Sequence, residues 1–211
     1  RIYINIWDKQ QRSRILKELK RVVIDIRYLK QYEIMSKVIL VGPSGSLLTN
    51  KLGKIIDSYD VVCRMNTGGR PELLNGEYKE IIGSKKDIWL CKHIGLFNMY
   101  KNNGYKEIVG FPEKGYLNEE YSKTLNKFNG FNHRLTCGML SILYLIDRYN
   151  KINICGMDGF KGGHWYGDKF FKNQDESDEL AAKGLGAHNI LKEKEYINYL
   201  VEQNKIKIID E

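Results

Sequence analysis

The spacing of hydrophobic residues changes near residue 36 of the chain. Over residues 10–34, apolar side chains recur every three or four positions with lysine and arginine between them, which predicts an amphipathic helix. The run Val38-Ile39-Leu40-Val41 that follows is typical of a buried strand in a parallel sheet, because it is short, continuous and rich in β-branched residues. We therefore predict an N-terminal helical segment over residues 1–36 and an α/β domain over residues 37–211.

Strand and helix patterns alternate through that second part of the chain. Helices are predicted over residues 47–56, 137–149 and 191–203. Further strands are predicted over residues 60–66, 87–91, 107–111, 152–156 and 206–209. This alternation predicts an α/β fold with a mostly parallel sheet, whose ligands bind beyond the carboxyl ends of the strands. The polar stretch 112–134 has no clear period, so we predict a long loop, or a loop with a short helix, that is a candidate wall of the binding site.

The composition suits one globular domain with a hydrophobic core. The chain has 211 residues, of which 42% are hydrophobic, and no linker-like segment is present. Its formal net charge of +8 favours anionic partners such as phosphates, nucleotides, acidic glycans or a membrane surface. Because most basic residues are spread along the chain, a solvated basic surface explains this charge better than nucleic-acid binding does.

The cysteines favour a reducing compartment over a disulfide-bonded one. They are Cys63, Cys91, Cys137 and Cys155. None belongs to a CxxC pair, and His93 is the only histidine near one of them, so we expect no zinc site. No apolar run reaches the length of a membrane span. Because the sequence begins at Arg1 and not at a methionine, we conclude nothing from the absence of a leader or anchor.

Small and polar residues follow the first two predicted strands. The loop Gly42-Pro43-Ser44-Gly45-Ser46 lets a backbone approach a ligand closely, although it is neither GxGxxG nor a P-loop. An ordinary turn from strand to helix explains this loop equally well. Asn66, at the end of the second strand, can hydrogen-bond a ribose or phosphate oxygen, and it can equally cap a turn. Thr136 is similarly open between a helix cap and a ligand contact.

Two histidines lie in glycine-rich surroundings. His164 follows Gly162-Gly163, and His188 follows Gly186-Ala187 at the start of the last predicted helix. A histidine in such a loop seldom fills a core, and histidine is the commonest general acid or base. Both are therefore candidates for catalysis.

In chain order, four segments resemble the sialylmotifs of the sialyltransferase family, glycosyltransferase family 29. Residues 38–66, VILVGPSGSLLTNKLGKIIDSYDVVCRMN, resemble the large sialylmotif. Its G-x-x-I-D-x-x-D and R-x-N are matched by Gly53, Ile56, Asp57, Asp60, Arg64 and Asn66. Residues 135–160, LTCGMLSILYLIDRYNKINICGMDGF, resemble the small motif. His164-Trp165-Tyr166 resembles the third motif, and His188 with Glu193 matches the His-x4-Glu of the very small motif.

The resemblance implies a variant GT-A fold, which is a single Rossmann-like domain. It also implies an inverting, metal-independent transfer of sialic acid from CMP-sialic acid to a glycan hydroxyl. His188 would be the general base, and His164 would hydrogen-bond or protonate the departing phosphate. Residues implied in donor binding are Gly42, Ser44, Gly45, Asn66, Thr136, Cys137, Gly138 and Tyr166. Supporting residues would be Glu193, Asp158 and Trp165. No DxD motif is present, and no metal or other cofactor is expected.

The chain departs from the family pattern at several positions. Pro43 replaces a frequent asparagine, which removes one phosphate contact, and Cys137 takes a position where a hydroxyl residue is common. The disulfide of secretory members would join positions that match Val38 and Tyr149 here, so that bridge cannot form. The cytoplasm of a bacterium or a virus-infected host cell is therefore favoured over the Golgi. The chain is also shorter than a typical family catalytic domain, so we expect reduced acceptor loops.

Two other functions stay open beside this one. A CMP-Kdo or related keto-acid donor shares the carboxylate and the CMP leaving group with CMP-sialic acid. A nucleotide-binding module without activity is the second alternative, although the presence of His188 counts against it. A nicotinamide dehydrogenase lacks its GxGxxG motif and the acidic residue after the second strand. The basic helix over residues 10–34 is a candidate for peripheral contact with a membrane or a partner, and packing on the core is the alternative.

Overall fold

A computed structural model of the protein describes residues 36–92, 104–111, 135–157 and 190–209. The helix predicted over residues 10–34 and the loop predicted over residues 112–134 lie outside these ranges. The division of the chain after residue 36 therefore stays a prediction.

Six parallel strands form a single sheet in the described part of the chain. They are β1 (Val38–Val41), β2 (Val61–Met65), β3 (Ile88–Cys91), β4 (Glu107–Gly110), β5 (Ile152–Cys155) and β6 (Ile206–Ile208). All six strand predictions are confirmed to within one residue at each end. The order across the sheet is β4-β3-β2-β1-β5-β6. β1 pairs with both β2 and β5, with Val38 opposite Val61 on one side and Ile152 on the other. Strands β2 to β4 therefore lie on one side of β1, and β5 and β6 lie on the other, so the strand order reverses at β1.

The helices confirm part of the prediction and correct one element. They are α1 (Gly53–Asp57), α2 (Pro71–Leu74), α3 (Lys79–Ile82), α4 (Cys137–Arg148) and α5 (Ile190–Glu202), with 3₁₀ helices at Gly45–Thr49 and Asn66–Gly69. The continuous helix predicted over residues 47–56 is wrong, because Asn50 is extended between the first 3₁₀ helix and α1. Leu47 and Leu52 pack in one core cluster. In one helix they would lie roughly 140° apart, so the break lets both reach that core.

The sheet is buried between two layers of helices. Alternate residues of β1 face opposite layers, as the pleat of a strand requires. Val38 and Leu40 belong to the cluster that contains residues of α4 and α5. Ile39 and Val41 belong to the cluster that contains residues of α1 and α3. Every residue of β1 is buried, which explains why its sequence is a continuous apolar run and not an alternating one.

Candidate active site

The loops after β1 and β5 meet at the point where the chain changes direction across the sheet. The backbone N–H of Gly42 donates to Cys155 O at 2.8 Å, and that of Ser44 donates to Gly156 O at 3.0 Å. A Cβ at Gly42 would lie 2.0 Å from Gly156 O, so this crossing admits only glycine. In open parallel sheets, such a switch point opens a crevice at the carboxyl ends of the strands.

The loop that follows β1 closes on itself through two serines. Ser44 is buried, and its Oγ accepts a hydrogen bond from Ser46 N at 3.0 Å. The two serine Oγ atoms are 2.9 Å apart. Ser44 therefore caps the 3₁₀ helix that begins at Gly45, as the turn interpretation predicts. Contact of these residues with a donor stays a prediction.

The first turn of α4 lies against the carboxyl ends of three strands. A Cβ at Gly138 would lie 2.6 Å from Cε of Met157, which follows β5, and 3.8 Å from Cε of Met65 in β2. The thiol of Cys137 is 3.6 Å from Leu90 O in β3, and burial raises its pKa to about 12. Cys137 is thus held as a neutral thiol. The positive end of the α4 dipole lies at this edge of the sheet.

Thr136 and Glu193 join α4 to α5. Thr136 caps α4, because its Oγ1 accepts from Met139 N at 3.0 Å. Glu193 Oε1 accepts from Thr136 N at 2.7 Å, and Glu193 Oε2 accepts from Thr136 Oγ1 at 2.5 Å. Glu193 is only 6% exposed. Its burial raises its pKa to about 7, against the opposing effects of the hydrogen bonds from Thr136 and the charge of Lys92.

Asn66 connects the end of β2 to the end of β3. It adopts the left-handed region, with φ of 45°, which asparagine tolerates better than most residues. Its Oδ1 accepts from Lys92 N at 3.0 Å, and its carbonyl accepts from Trp89 Nε1 at 2.9 Å. Lys92 in turn reaches α4, since its Nζ donates to Leu135 O at 2.7 Å. The sequence interpretation missed Lys92, although its position directly after a predicted strand was the available signal.

The structure therefore brings together the predicted site residues that it describes. These are Gly42, Ser44, Gly45, Asn66, Thr136, Cys137, Gly138 and Glu193. The remaining predictions lie outside the described residues: His164, His188, Tyr166, Trp165 and Asp158. The described site residues come from four separate segments of the chain.

Other residues of the large motif lie away from this edge and support the fold. Arg64 is buried and donates to Ile82 O at 2.7 Å and to Lys85 O at 2.9 Å. Asp57 accepts from Ser84 N at 2.9 Å and from Lys85 N at 2.8 Å. Both side chains hold the turn between α3 and β3. A Cβ at Gly53 would lie 2.2 Å from Lys79 O, so this glycine permits α1 to contact α3.

The described residues contain no group of three or more His, Cys, Asp or Glu side chains arranged to hold a metal ion. None of the helices in the described part of the chain has the length and apolar character needed to span a bilayer. All four cysteines of the chain fall within the described ranges, and each is a buried free thiol.

An open parallel sheet with helices on both faces and this switch point defines a doubly wound α/β domain. Residues 4–115 match the model of glycosyltransferase family 29 (sialyltransferase), so the chain belongs to that family. The family resemblance and the sialyltransferase fold predicted from the sequence are thereby confirmed.

Solved structures of a mammalian sialyltransferase share the fold. One, the "Crystal Structure of a Mammalian Sialyltransferase", is 17% identical with a TM-score of 0.54, and the match covers 83% of this chain and 69% of that one. Another, in complex with Gal-beta-1-3GalNAc-ortho-nitrophenol, has the same identity and coverage with a TM-score of 0.53. No curated protein matches. At this identity, the likeness to these structures is a likeness of fold.

Proposed function

We propose that the protein is an inverting, metal-independent transferase that moves sialic acid from CMP-sialic acid to a glycan hydroxyl. Membership of family 29 supports the reaction class. One structural observation carries the proposal furthest. Thr136 of the small motif is fixed by Glu193 of the very small motif, beside the edge that carries Asn66 of the large motif. A glycan acceptor is supported by the related mammalian enzyme, whose structure contains a Gal-beta-1-3GalNAc derivative.

The donor would bind along the carboxyl edge of the sheet. The N–H groups of Cys137 and Gly138 in the first turn of α4 suit its phosphate, because the first amides of a helix have no intrahelical acceptor. The hydroxyl of Thr136 already donates to Glu193 and accepts from Met139 N. While Glu193 is ionised, this hydroxyl can therefore meet a ligand only as an acceptor, which suits an amino or hydroxyl group of cytidine better than a phosphate.

The reaction we propose is a single displacement. His188 takes the proton of the acceptor hydroxyl as the acceptor oxygen forms a bond to the anomeric carbon of the donor sugar. The bond from that carbon to the phosphate oxygen breaks, and CMP leaves with the electron pair. His164 donates to the phosphate and stabilises the charge that develops there. Glu193 acts on this site indirectly, since its two bonds to Thr136 position the start of α4.

The proposal is tested first by calorimetric titration of CMP, with AMP as the comparison and EDTA present. We expect CMP to bind selectively, and transfer from CMP-sialic acid to a galactosyl acceptor to proceed in EDTA. His188→Ala should retain CMP binding and lose transfer, whereas Lys205→Met, an exposed position at the amino end of β6, should keep both. Lack of CMP binding at millimolar concentration would overturn the proposal, and loss of transfer in EDTA would overturn metal independence.

The same assay distinguishes the two candidate donors from each other, and an active transferase from a protein that only binds the nucleotide. Transfer from CMP-Kdo and not from CMP-sialic acid would assign the keto-acid alternative. CMP binding without transfer from either donor would assign a nucleotide-binding module.

We also propose that the protein works in a reducing compartment, since all four cysteines are buried free thiols. Peripheral membrane contact through the basic helix over residues 10–34 stays a prediction. Co-sedimentation with anionic and neutral vesicles, for the full chain and for a chain without residues 1–36, tests it.

A further inference from the structure

Lys92 connects three of the elements that form the candidate site. It follows directly after β3, and its backbone N–H donates to Asn66 Oδ1 at 3.0 Å at the end of β2. Its ammonium donates to Leu135 O at 2.7 Å, one residue before the cap of α4. Its positive charge lowers the pKa of Glu193 in α5, although burial of that carboxyl raises the pKa by more. No sialylmotif segment of the sequence contains this lysine.

The bond to Leu135 O satisfies a carbonyl that α4 does not use. The helical ladder begins with Leu140 N, which donates to the carbonyl of Thr136. The carbonyl of Leu135, whose residue is 8% exposed, lies before that ladder. A buried carbonyl without a partner destabilises the fold, so this contact with Lys92 defines where the chain enters α4.

The charge of Lys92 has a second effect at the same place. Among the residues that the structure describes, Lys92 is the charged group that acts on Glu193, while Thr136 supplies two hydrogen bonds to it. A buried carboxylate with no cation near it takes up a proton more readily. A protonated Glu193 would donate to Thr136 Oγ1 where the carboxylate accepts from it, which rearranges the hydrogen bonds at the start of α4.

We propose that Lys92 is a positioning residue for donor binding, which fixes the start of α4 relative to Asn66. The inference rests on the proposed function, because Asn66 and the first turn of α4 are the parts of the site assigned to the CMP donor. Lys92 acts through these groups, and the proposal requires no contact between its side chain and the substrate.

The test compares four variants of the full chain. Lys92→Met removes both the charge and the hydrogen bond, and Lys92→Gln removes the charge but retains a donor for Leu135 O. Lys92→Arg keeps both features. Lys205→Met is the matched control, because Lys205 is an exposed lysine at the amino end of β6, on the opposite edge of the sheet.

We expect Lys92→Met to weaken CMP binding about tenfold, which corresponds to about 1.4 kcal/mol, while Lys92→Arg and Lys205→Met stay within about threefold of the wild type. KM for the donor should rise more than kcat falls. In Lys92→Gln, the pH midpoint at which thermal stability changes should move upward, because Glu193 loses the positive charge that lowers its pKa. This shift remains measurable if Lys92→Met does not fold.

The inference would be overturned if Lys92→Met bound CMP with wild-type affinity and the pH midpoint of Lys92→Gln did not move. It would also be overturned if Lys92→Arg bound CMP as weakly as Lys92→Met. Failure of the proposed function has a different outcome, in which the wild type itself binds no CMP. The pH midpoint of Lys92→Gln would then still decide whether Lys92 controls Glu193.

Discussion

Glu193 accepts both hydrogens that Thr136 offers, the backbone N–H at 2.7 Å and the hydroxyl at 2.5 Å, although the two residues are 57 positions apart in the chain. The bond pattern links the first turn of α5 to the first turn of α4. It supplies two hydrogen-bond donors to a buried carboxylate, so protonation of Glu193 affects the candidate site as well as the fold.

The first prediction concerns the pH dependence of stability. Burial raises the pKa of Glu193 from 4.5 to about 7, so the folded protein holds this proton more tightly than the unfolded chain does. The resulting stabilisation is present in full below pH 4.5 and is lost as the pH rises to about 7. The loss is at most about 3 kcal/mol. Urea denaturation of the wild type and of Glu193→Gln across this window measures it, and equal slopes in the two proteins would contradict the assignment.

The second prediction concerns the cap of α4. Thr136→Val keeps the shape of the side chain but removes the acceptor for Met139 N and the donor to Glu193 Oε2. We expect a loss of about 2 kcal/mol in the free energy of unfolding. Thr136→Ser keeps the hydroxyl and should stay within about 0.5 kcal/mol of the wild type. Equal stability of the Val and Ser variants would show that the hydroxyl does not stabilise the helix.

The third prediction compares two glycines at the same edge. A methyl group at Gly42 would meet the backbone oxygen of Gly156, whereas one at Gly138 would meet the mobile end of the Met157 side chain. Gly42→Ala should therefore cost about 3 kcal/mol, and Gly138→Ala should cost less than about 1 kcal/mol. Thermal unfolding of the two variants decides the point, and a reversed order would contradict the crossing of the β1 and β5 loops.

The fourth prediction separates fold from site within the large motif. Arg64→Met leaves the carbonyls of Ile82 and Lys85 without their buried donor, so we expect a loss of about 3 kcal/mol or more in stability. CMP affinity of the folded protein should be unchanged, because Arg64 faces the turn between α3 and β3. Lys54→Met, on the exposed side of α1, is the control for loss of one positive charge. A fall in CMP affinity without a fall in stability would place Arg64 in the donor site.

The central strands β1, β2, β3 and β5 were predictable because each is a short, mainly apolar run that is largely buried within a parallel sheet. The edge residues were predictable in part, since Asn66 follows a strand pattern and Thr136 precedes a helical pattern. What lies between β2 and β3 was not predictable, because α2 and α3 are helices of only four residues each and too short to show a period. The break at Asn50 depends on packing of Leu47 and Leu52 that only the assembled core determines.

Side-chain roles within a motif were also beyond the sequence. Arg64 and Asn66 are two positions apart, which places them on the same face of an ideal strand. In the structure β2 ends at Met65, and Asn66 turns into the left-handed region, so the two side chains serve different purposes. A motif pattern records that both residues are needed, but not that one supports the fold and the other lies at the edge.

The four buried thiols allow unfolding of the protein to be followed by their reactivity. Cys63 and Cys155 have no exposed surface, and Cys91 and Cys137 are 1% and 7% exposed. Burial raises the pKa of the Cys63 thiol well above its ordinary value and that of Cys137 to about 12, so neither supplies a thiolate in the folded state. A thiol-reactive dye therefore labels the chain only when the sheet or α4 opens. Its rate of incorporation measures the stability of this core through cysteines that the chain already contains.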